Sequence, residues 1–291
     1  MTKSHFIKGG ILLLMIALSA VPSEAKKPKV FLACETYSLR NYLNDGKYDF
    51  VTVMPLMKEL GIKGITLNDI WLKSYDHAYL DTIKASAKAN GITIVGLICE
   101  GNLASNNEEA RKKQIEVDAE KMKAAAYLGG KIVRLNLGGT GNPETEGTVG
   151  VQRCIDAFNE LLPLAKELGI KMTIENHGGV SLKADYILEI IKGTDPKWVG
   201  SCLDFRNWPK DPPELKYEEN AKLAPYAYHT HAKAYEFDAN GEETSIQYAR
   251  VLKMLKDAKY QGAVSIEFEG PEDQIVGVKK TRDLVLKYWK M

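Results

Sequence analysis

Short apolar runs alternate with longer amphipathic segments along nearly the whole chain. The eight runs are KVFLACE, KGITL, ITIVGLICE, KIVRLNLGG, KMTIEN, WVGSCLDF, YAYHTHAKA and AVSIEFEG. Between them, segments such as FVTVMPLMKELG, EEARKKQIEVDAEKMKAAAYLGG and SIQYARVLKMLKDAKYQG place apolar residues at helical spacing, and most end in glycine, which commonly terminates a helix. The pattern therefore predicts that strands and helices alternate.

Regular alternation of strands and helices is typical of a parallel sheet. Eight strand–helix units favour an α/β fold with a single (β/α)8 TIM barrel, which typically has about 250 residues. A doubly wound open sheet is the alternative, but no G-x-G-x-x-G motif follows the first run, where CETYSLRNYL stands. No linker marks a second domain, and the segment RNWPKDPPELKYEENAK is predicted to be a long loop.

The first 25 residues differ from the rest and are predicted to be a secretory signal peptide. A basic head with Lys3 and Lys8 precedes the apolar run ILLLMIALSA, and small residues at Ser23 and Ala25 suit cleavage. The apolar run is shorter than a membrane span, which needs about 20 residues. Cleavage after Ala25 would leave a barrel domain over residues 26–291, exported to the periplasm. An uncleaved N-terminal anchor is the alternative.

Composition and charge narrow the expected partners. Loss of the leader would remove two lysines and one glutamate from 39 basic and 38 acidic residues, which leaves 37 of each. A net charge near zero gives no reason to expect nucleic acid or a membrane surface as partner. The four cysteines show no C-x-x-C spacing, which excludes zinc-finger sites, and apolar neighbours predict buried free thiols at Cys34, Cys99 and Cys202.

Polar side chains gather near the carboxyl ends of the last four predicted strands, where a TIM barrel builds its active site. Side chains alternate across a strand, so residues two apart share a face. The positions that share a face are Glu175 and His177 in MTIENHG, Cys202 and Asp204 in SCLDFRN, His229, His231 and Lys233 in YHTHAKAY, and Glu267 and Glu269 in VSIEFEG. Four adjacent strands thus deliver three carboxylates and an imidazole to one end of the barrel.

Such a set cannot share a confined cavity uncompensated, because crowding would raise the carboxyl pKa values unless a cation neutralises the charges. One divalent ion is the simplest solution, and mostly oxygen ligands with one nitrogen suit Mn²⁺, Mg²⁺, Co²⁺ or a catalytic Zn²⁺. The predicted metal ligands are Glu175, Asp204, His231 and Glu267. His229, one pleat deeper, is predicted to be a core histidine with satisfied hydrogen bonds, and Lys233 and Glu269 are open to a simple ion-pair role.

From TIENHGG through CLDFRN and HTHAKAY to IEFEG, the sequence resembles the sugar phosphate isomerase/epimerase superfamily of TIM barrels, related to xylose isomerase and to AP endonuclease family 2. Inosose dehydratases, hydroxypyruvate isomerases and ketose 3-epimerases belong to this superfamily. The resemblance covers the mature chain and implies that the same four residues bind one divalent ion. It also implies a catalytic pair: one of Glu175 and Glu267 removes a proton beside a metal-chelated carbonyl, and the other returns it to the enediolate.

The resemblance also implies substrate-binding roles for His177 and for Lys233, which matches an H-x-K motif. Ketose epimerases carry a histidine three residues after the strand-six aspartate, where this chain has Asn207. Further candidates for contact with a sugar, at or near predicted strand ends, are Glu100, Asn136 and Trp208. The additional histidines that hold three zinc ions in endonuclease IV are lacking, which argues against a role in DNA repair.

Three functions are compatible with these residues. The first is a metal-dependent isomerase or epimerase of a free sugar or keto-sugar, since export and the lack of a P-loop argue against a phosphorylated substrate. The second is a lyase that eliminates water or an aglycone from a keto-sugar or keto-glycoside, and the third is a non-catalytic periplasmic sugar-binding protein. The expected partner is a small carbohydrate; the particular sugar, the metal and the oligomeric state, including a homo-oligomer, stay open.

Overall fold

The computed structural model describes Met1, residues 30–138 and residues 143–291. The predicted leader, apart from Met1, and its cleavage site at Ala25 lie outside the described residues. Within the described ranges, no helix combines the length and apolar content that crossing a membrane requires.

Eight parallel strands form one closed barrel in the order of the sequence. The strands are β1 (Phe31–Glu35), β2 (Gly64–Asn68), β3 (Thr93–Cys99), β4 (Ile132–Leu135), β5 (Lys171–Glu175), β6 (Val199–Asp204), β7 (Ala227–Ala234) and β8 (Ala263–Phe268). Pairing of β8 with β1 closes the sheet, with Ala33 opposite Ser265. Seven strands lie inside their apolar runs and β2 extends one residue beyond its run, so the predicted single (β/α)8 barrel is confirmed.

Helices follow the strands and cover the outside of the barrel. They are α1 (Arg40–Asn44), α2 (Val53–Glu59), α3 (His77–Asn90), α4 (Glu108–Tyr127), α5 (Pro143–Leu168), α6 (Ala184–Lys192), α7 (Leu215–Leu223), α8 (Tyr248–Asp257) and α9 (Gln274–Tyr288). Short 3-10 turns, Thr36–Leu39 after β1 and Asp69–Trp71 after β2, bring two further segments to the carboxyl end of the barrel. Tyr37, Ile70 and Trp71 of these two turns line cavities at this end of the barrel.

Glycines end four helices where the sequence predicts helix–glycine–strand junctions. Their φ angles are 68° at Gly61, 68° at Gly91, 89° at Gly129 and 66° at Gly169. A positive φ is the left-handed conformation that ends a helix and that glycine adopts without steric cost. Glycine therefore recurs at these junctions because the backbone there adopts a positive φ.

The segment RNWPKDPPELKYEENAK is not entirely a loop, contrary to the prediction. Its second half forms all of α7 (Leu215–Leu223) except the last residue. The prolines confine irregular backbone to the first half, because proline removes a donor and restricts the residue before it. After Pro213 the sequence ELKYEENAKL consists almost entirely of good helix formers.

The strand faces divide as the alternation predicts. Ile174, Leu203 and Ile266 are fully buried in the hydrophobic core, while the intervening residues supply the polar interior of the barrel. Cys34, Cys99, Cys154 and Cys202 are all free and buried.

Strand register brings the polar residues to one level. Asp204 of β6 lies opposite His231 of β7, and Lys233 of β7 lies opposite Glu267 of β8. On the other side, Glu175 of β5 lies opposite Cys202 of β6. Residues near the carboxyl ends of four neighbouring strands therefore face one small volume of the barrel.

Candidate active site at the carboxyl end of the barrel

A compact cluster of Glu175, Asp204, His231 and Glu267 lies at this end, with its ligand atoms all within 4.8 Å of one another. The Nδ1 atom of His231 is 2.9 Å from Oε1 of Glu175 and 3.1 Å from Oε2 of Glu267. All four side chains are buried. The two glutamates thus meet on either side of one imidazole nitrogen.

Two oxygens of the cluster lack the donors that buried carboxylates need. Asp204 Oδ2 and Glu267 Oε2 accept no hydrogen bond from the described residues, although Lys233 Nζ lies 3.5 Å and 3.2 Å from them. A buried carboxylate oxygen without a donor is costly unless a cation compensates it. Three carboxylates and one imidazole are also a donor set that divalent ions such as Mn²⁺, Mg²⁺, Co²⁺ and Zn²⁺ accept. The residues therefore fit a single divalent ion.

The two glutamates of the cluster stay ionised despite their burial. Burial alone would raise the pKa of Glu175, but Arg134 and His231 outweigh it and hold the pKa well below its usual range. Burial opposes ionisation of Glu267 too, and Lys233 and His231 lower its pKa to about 2. Both carboxylates are therefore able to accept a proton at neutral pH.

The pKa values of Asp204 and His231 are raised, in contrast to those of the two glutamates. Burial raises the pKa of Asp204 to about 7, and the charges of Glu267 and Glu175 add to this against the opposing effect of Lys233. Burial would lower the pKa of His231, but the neighbouring Cys202 and the two glutamates raise it well above its usual value. Both shifts favour the protonated forms of Asp204 and His231, and a metal ion would compete with these protons for the cluster.

Lys233 connects the cluster to the rim of the site. Its Nζ donates to Oε1 of Glu269 at 2.9 Å and lies near two carboxylates of the cluster, so the predicted pair with Glu269 is present but is not its whole environment. The hydroxyl of Tyr235 donates to the other oxygen of Glu269 at 2.6 Å. Tyr235 in turn lies beneath the guanidinium of Arg206, 3.9 Å from the ring centroid. Lys233 is therefore held in place from two directions.

Sequence reasoning did not find Arg134, which is the most extensively bonded cation of the site. Its Nε donates to Glu175 Oε2 at 2.7 Å, and its Nη1 donates to the Cys99 carbonyl at 3.1 Å and to Glu100 Oε1 at 3.0 Å. Asn136 donates to Glu100 Oε2 at 2.6 Å. The alternation in KIVRLNLGG puts Arg134 and Asn136 on one face, which was the available signal.

Glu35, at the end of β1, is a second residue that sequence reasoning missed. Its side chain is fully buried, and Oε1 has no hydrogen-bond partner among the described residues. Burial and the charge of Glu267 raise its pKa well above the usual range. Burial thus favours the neutral form of Glu35 beside the cluster.

A cavity of about 360 Å³ opens above the cluster and will be called the barrel-mouth cavity. It is lined mostly by polar and aromatic side chains, together with the aliphatic Ile70; the lining residues are Tyr37, Asn68, Ile70, Glu100, Arg134, His177, Asn207, Lys233, Tyr235, Glu267 and Glu269. Five of the predicted site residues line it: Glu100, His177, Asn207, Lys233 and Glu267. Of the others, Asn136 reaches it only through Glu100, and Trp208 lies elsewhere, with its indole nitrogen donating to Asn220 at 2.9 Å.

His229 differs from its prediction in one respect. It is fully buried in the barrel interior, but neither ring nitrogen has a hydrogen-bond partner among the described residues. Burial, together with the charge of His231, lowers its pKa well below the usual value. His229 is a core histidine whose ring nitrogens are unsatisfied, and its ring meets that of His231 edge to face, with the centroids 5.2 Å apart.

Fold and site together define a (β/α)8 barrel with a polar cavity over a candidate metal site of three carboxylates and one imidazole. The chain belongs to the xylose isomerase-like TIM barrel family, whose profile matches residues 54–287. This confirms the superfamily that the sequence resembles. The match runs from α2 to α9 and includes all four residues of the cluster.

Solved structures with this fold include sugar-processing enzymes. The IolI protein with a bound zinc atom aligns with a TM-score of 0.75 at 19% identity, over 90% of this chain and 100% of that chain. The 3-keto-D-glucoside 4-epimerase of E. coli aligns with a TM-score of 0.71 at 16% identity, over 90% and 100% of the two chains. At such identities the likeness shows the shared fold.

Relatives detected by sequence match only in part. An uncharacterized protein of Methanocaldococcus jannaschii is 27% identical over 205 residues, which are 64% of this chain and 66% of that protein. The alpha subunit of a 3'-dehydrocarminate deglycosidase from a Microbacterium species is 42% identical over 53 residues, 18% of this chain and 15% of that protein. The chain therefore spans less than two thirds of the length of these relatives.

Proposed function

We propose that the protein is a divalent-metal-dependent isomerase or epimerase that acts on a free sugar or keto-sugar. One observation carries this proposal: two ionised glutamates, Glu175 and Glu267, converge on His231, and Glu267 also lines a polar cavity the size of a small ligand. Such a pair suits the removal of a proton by one carboxylate and its return by the other.

Glu175, Asp204, His231 and Glu267 would hold the ion. When bound, a divalent ion polarises a substrate carbonyl and stabilises the negative charge that develops on deprotonation of the adjacent carbon. The unpartnered oxygens of Asp204 and Glu267 supply the reason for a cation at this place.

The chain's own residues would carry out the proton transfer. Arg134 keeps Glu175 ionised and fixes its orientation through the 2.7 Å hydrogen bond to Oε2, while Oε1 lies 2.9 Å from Nδ1 of His231. The charge of Lys233, whose Nζ lies 3.2 Å from Oε2, keeps Glu267 ionised. Return of the proton at the neighbouring carbon gives an isomer, whereas return to the opposite face of the same carbon gives an epimer.

The remaining polar residues of the barrel-mouth cavity would orient the sugar. Glu100, His177 and Asn207 come from three different strand ends and line the cavity. Hydroxyl groups of a sugar are recognised by such convergent donors and acceptors. Names of two structural neighbours, an epimerase of a keto-glucoside and a zinc-binding barrel, support the carbohydrate and metal parts of the proposal.

Elimination is the second candidate, and the partial similarity to a deglycosidase subunit favours it. The same glutamate would take the proton beside a keto group, the C–H electron pair would form a C=C bond, and the group on the β-carbon would leave with its bonding electrons. We also propose that the chain works in the periplasm, because the leader pattern at its start is that of an exported protein.

Deuterium exchange tests the proposal. The metal-loaded protein is incubated in D2O with a panel of ketoses and of 3-keto-glucosides, and NMR and mass spectrometry follow the C–H signals and the products. We expect exchange that falls by at least about 100-fold in both Glu175→Gln and Glu267→Gln and is unchanged in Glu109→Gln, an exposed glutamate of α4.

The products separate the candidates. A product of unchanged mass supports isomerisation or epimerisation, and release of water or an aglycone supports elimination. Binding of sugars without exchange of any C–H group would contradict both and favour the non-catalytic binding protein.

A further inference from the structure

A second cavity of about 330 Å³ lies beside the barrel-mouth cavity. We call it the Trp71 groove. Its walls come from the turn after β2 and from the chain around the end of α1, and they include Leu43, Tyr48, Asp49, Ile70, Trp71 and Lys73. The proposed reaction gives no role to this groove.

The two cavities are neighbours that share a wall. Ile70 lines both of them. Tyr37 of the barrel-mouth cavity packs against Trp71 of the groove, with ring centroids 5.9 Å apart. A ligand that extends out of the barrel-mouth cavity past Ile70 would therefore enter the groove directly.

Ile70 is a large apolar side chain that is unusually exposed to water. It is 53% exposed and is one of the few large apolar side chains so exposed in the described part of the chain. Its turn is nevertheless held firmly, because Asn68 Oδ1 accepts from the Ile70 amide at 3.3 Å and the Trp71 indole donates to Asn44 at 2.9 Å. A ligand that covers this apolar side chain removes it from water, which favours binding, and little conformational entropy is lost because the turn is already fixed.

The groove combines apolar, aromatic and charged surfaces. Trp71 and Tyr48 offer aromatic rings, Leu43 and Ile70 offer aliphatic surface, and the Asp49–Lys73 ion pair, 3.0 Å apart, supplies polar partners. A ring with an apolar face and hydroxyl groups on its edge matches this combination, whether the ring is a pyranose or a phenol.

We infer that the substrate is a glycoside of two ring units, with its sugar ring in the barrel-mouth cavity and its glycosidic partner in the Trp71 groove. Each cavity is at the lower end of the about 300–1,000 Å³ range of small-molecule sites, so each suits one ring. This inference deepens the proposed function by narrowing its substrate from free sugars to a keto-glycoside, and it rests on that function for the placement of the sugar ring over the glutamates.

Binding of glycosides that cannot react tests the groove apart from the chemistry. Methyl β-D-glucoside fills only the barrel-mouth cavity, whereas phenyl β-D-glucoside and cellobiose add an aryl or a sugar ring. NMR titration of the metal-loaded protein gives the affinities, and the indole N–H signal of Trp71, assigned from its loss in Trp71→Phe, reports on the groove.

We expect the phenyl glucoside, cellobiose or both to bind about tenfold more tightly than the methyl glucoside and to shift the Trp71 signal. The gain should disappear in Trp71→Ala and persist in Trp71→Phe. Tyr48→Ala is a second variant that lowers the gain without touching the barrel-mouth cavity. Tyr75→Ala, an exposed aromatic residue outside both cavities, should leave every affinity unchanged.

The pattern of results identifies the partner ring. A gain for the phenyl glucoside alone assigns the groove to an aryl aglycone, and a gain for cellobiose alone assigns it to a second sugar. Equal or undetectable affinities for all three ligands, or a gain that survives both Trp71→Ala and Tyr48→Ala, would overturn the inference. If the two-ring glycosides bind more tightly but no keto-sugar exchanges a C–H proton with D2O, the role of the Trp71 groove is supported and the proposed reaction is contradicted.

Discussion

Replacing Arg134 with methionine would leave a buried carboxylate without its partner. Arg134 is 3% exposed, and its guanidinium donates to Glu175, Glu100 and the Cys99 carbonyl. Methionine has a similar length but no donor. Arg134→Lys is the matched control, since a lysine keeps the charge but cannot reproduce the three-way contact.

The structure gives the size of the expected effect. Breaking a buried ion pair by removal of one member costs about 3–5 kcal/mol, because the remaining charge stays buried. Loss of Arg134 also removes the main cause that lowers the pKa of Glu175. We therefore expect Arg134→Met to lower the free energy of unfolding by about 3–5 kcal/mol at pH 7 and Arg134→Lys to lower it by less.

Urea unfolding of the metal-free protein measures this difference. The slope with urea should stay constant, and the midpoint should fall by about 1 M or more for a slope near 3 kcal/mol/M. In the double variant with Glu175→Gln, part of the lost stability should return, since no unpaired carboxylate remains. A loss below about 1 kcal/mol, or strictly additive effects of the two substitutions, would refute the assigned role of Arg134.

Three further predictions concern stability. Burial, only partly opposed by Lys121, raises the pKa of Asp118 from 3.8 to about 7, so the folded state keeps a proton that the unfolded chain releases between these values. The free energy of unfolding should therefore fall as pH rises from about 4 to 7. Urea unfolding at pH 5 and pH 7.5 should show a smaller fall for Asp118→Asn than for the parent. An equal fall in both proteins would contradict the prediction. His229→Leu should cost nothing or stabilise by about 1–2 kcal/mol in the same assay, because two unsatisfied buried nitrogens disappear, and a large loss would show that they have partners. Mn²⁺ at 100 times its Kd should add about 2.7 kcal/mol and raise the Tm by about 5–10 °C, but should leave His231→Ala unchanged; an equal rise in both would place the ion elsewhere.

The barrel and the four clustered residues could be predicted because they depend on short-range pattern. Apolar runs and glycine-terminated helices repeat in each unit, and the two-residue period of a strand places Asp204 beside Cys202 and Glu267 beside Glu269 on one face. In a parallel barrel all such residues emerge at the same end. Local pattern therefore determined which side chains meet.

Arg134 and Glu35 could not be identified in this way. Each stands in an apolar run, and each acts on a residue far away in sequence: Arg134 on Glu175, 41 residues later, and Glu35 on Glu267 across the closure of the barrel. Only the register of the strands reveals these neighbours. The unsatisfied nitrogens of His229 have the same origin, since satisfaction depends on what the other strands supply at that depth.

The shapes of the two cavities could not be predicted from the sequence pattern. Ile70 and Trp71 occupy a three-residue turn after β2, where no periodicity operates. Their contacts with Tyr37 and Asn44 depend on how separate loops pack over the strand ends. Loops carry the specificity of this fold, so the shape of the site requires the structure.

The central claim is that Glu175, Asp204, His231 and Glu267 form a divalent metal site. Its most direct test is the metal content of the purified protein by mass spectrometry, before and after incubation with Mn²⁺, Co²⁺, Mg²⁺ and Zn²⁺, beside His231→Ala. The account predicts close to one ion per chain in the parent and its loss in the variant. A parent that takes up none of the four ions would contradict it, and the cluster would then be a hydrogen-bonded network neutralised by protons, Arg134 and Lys233.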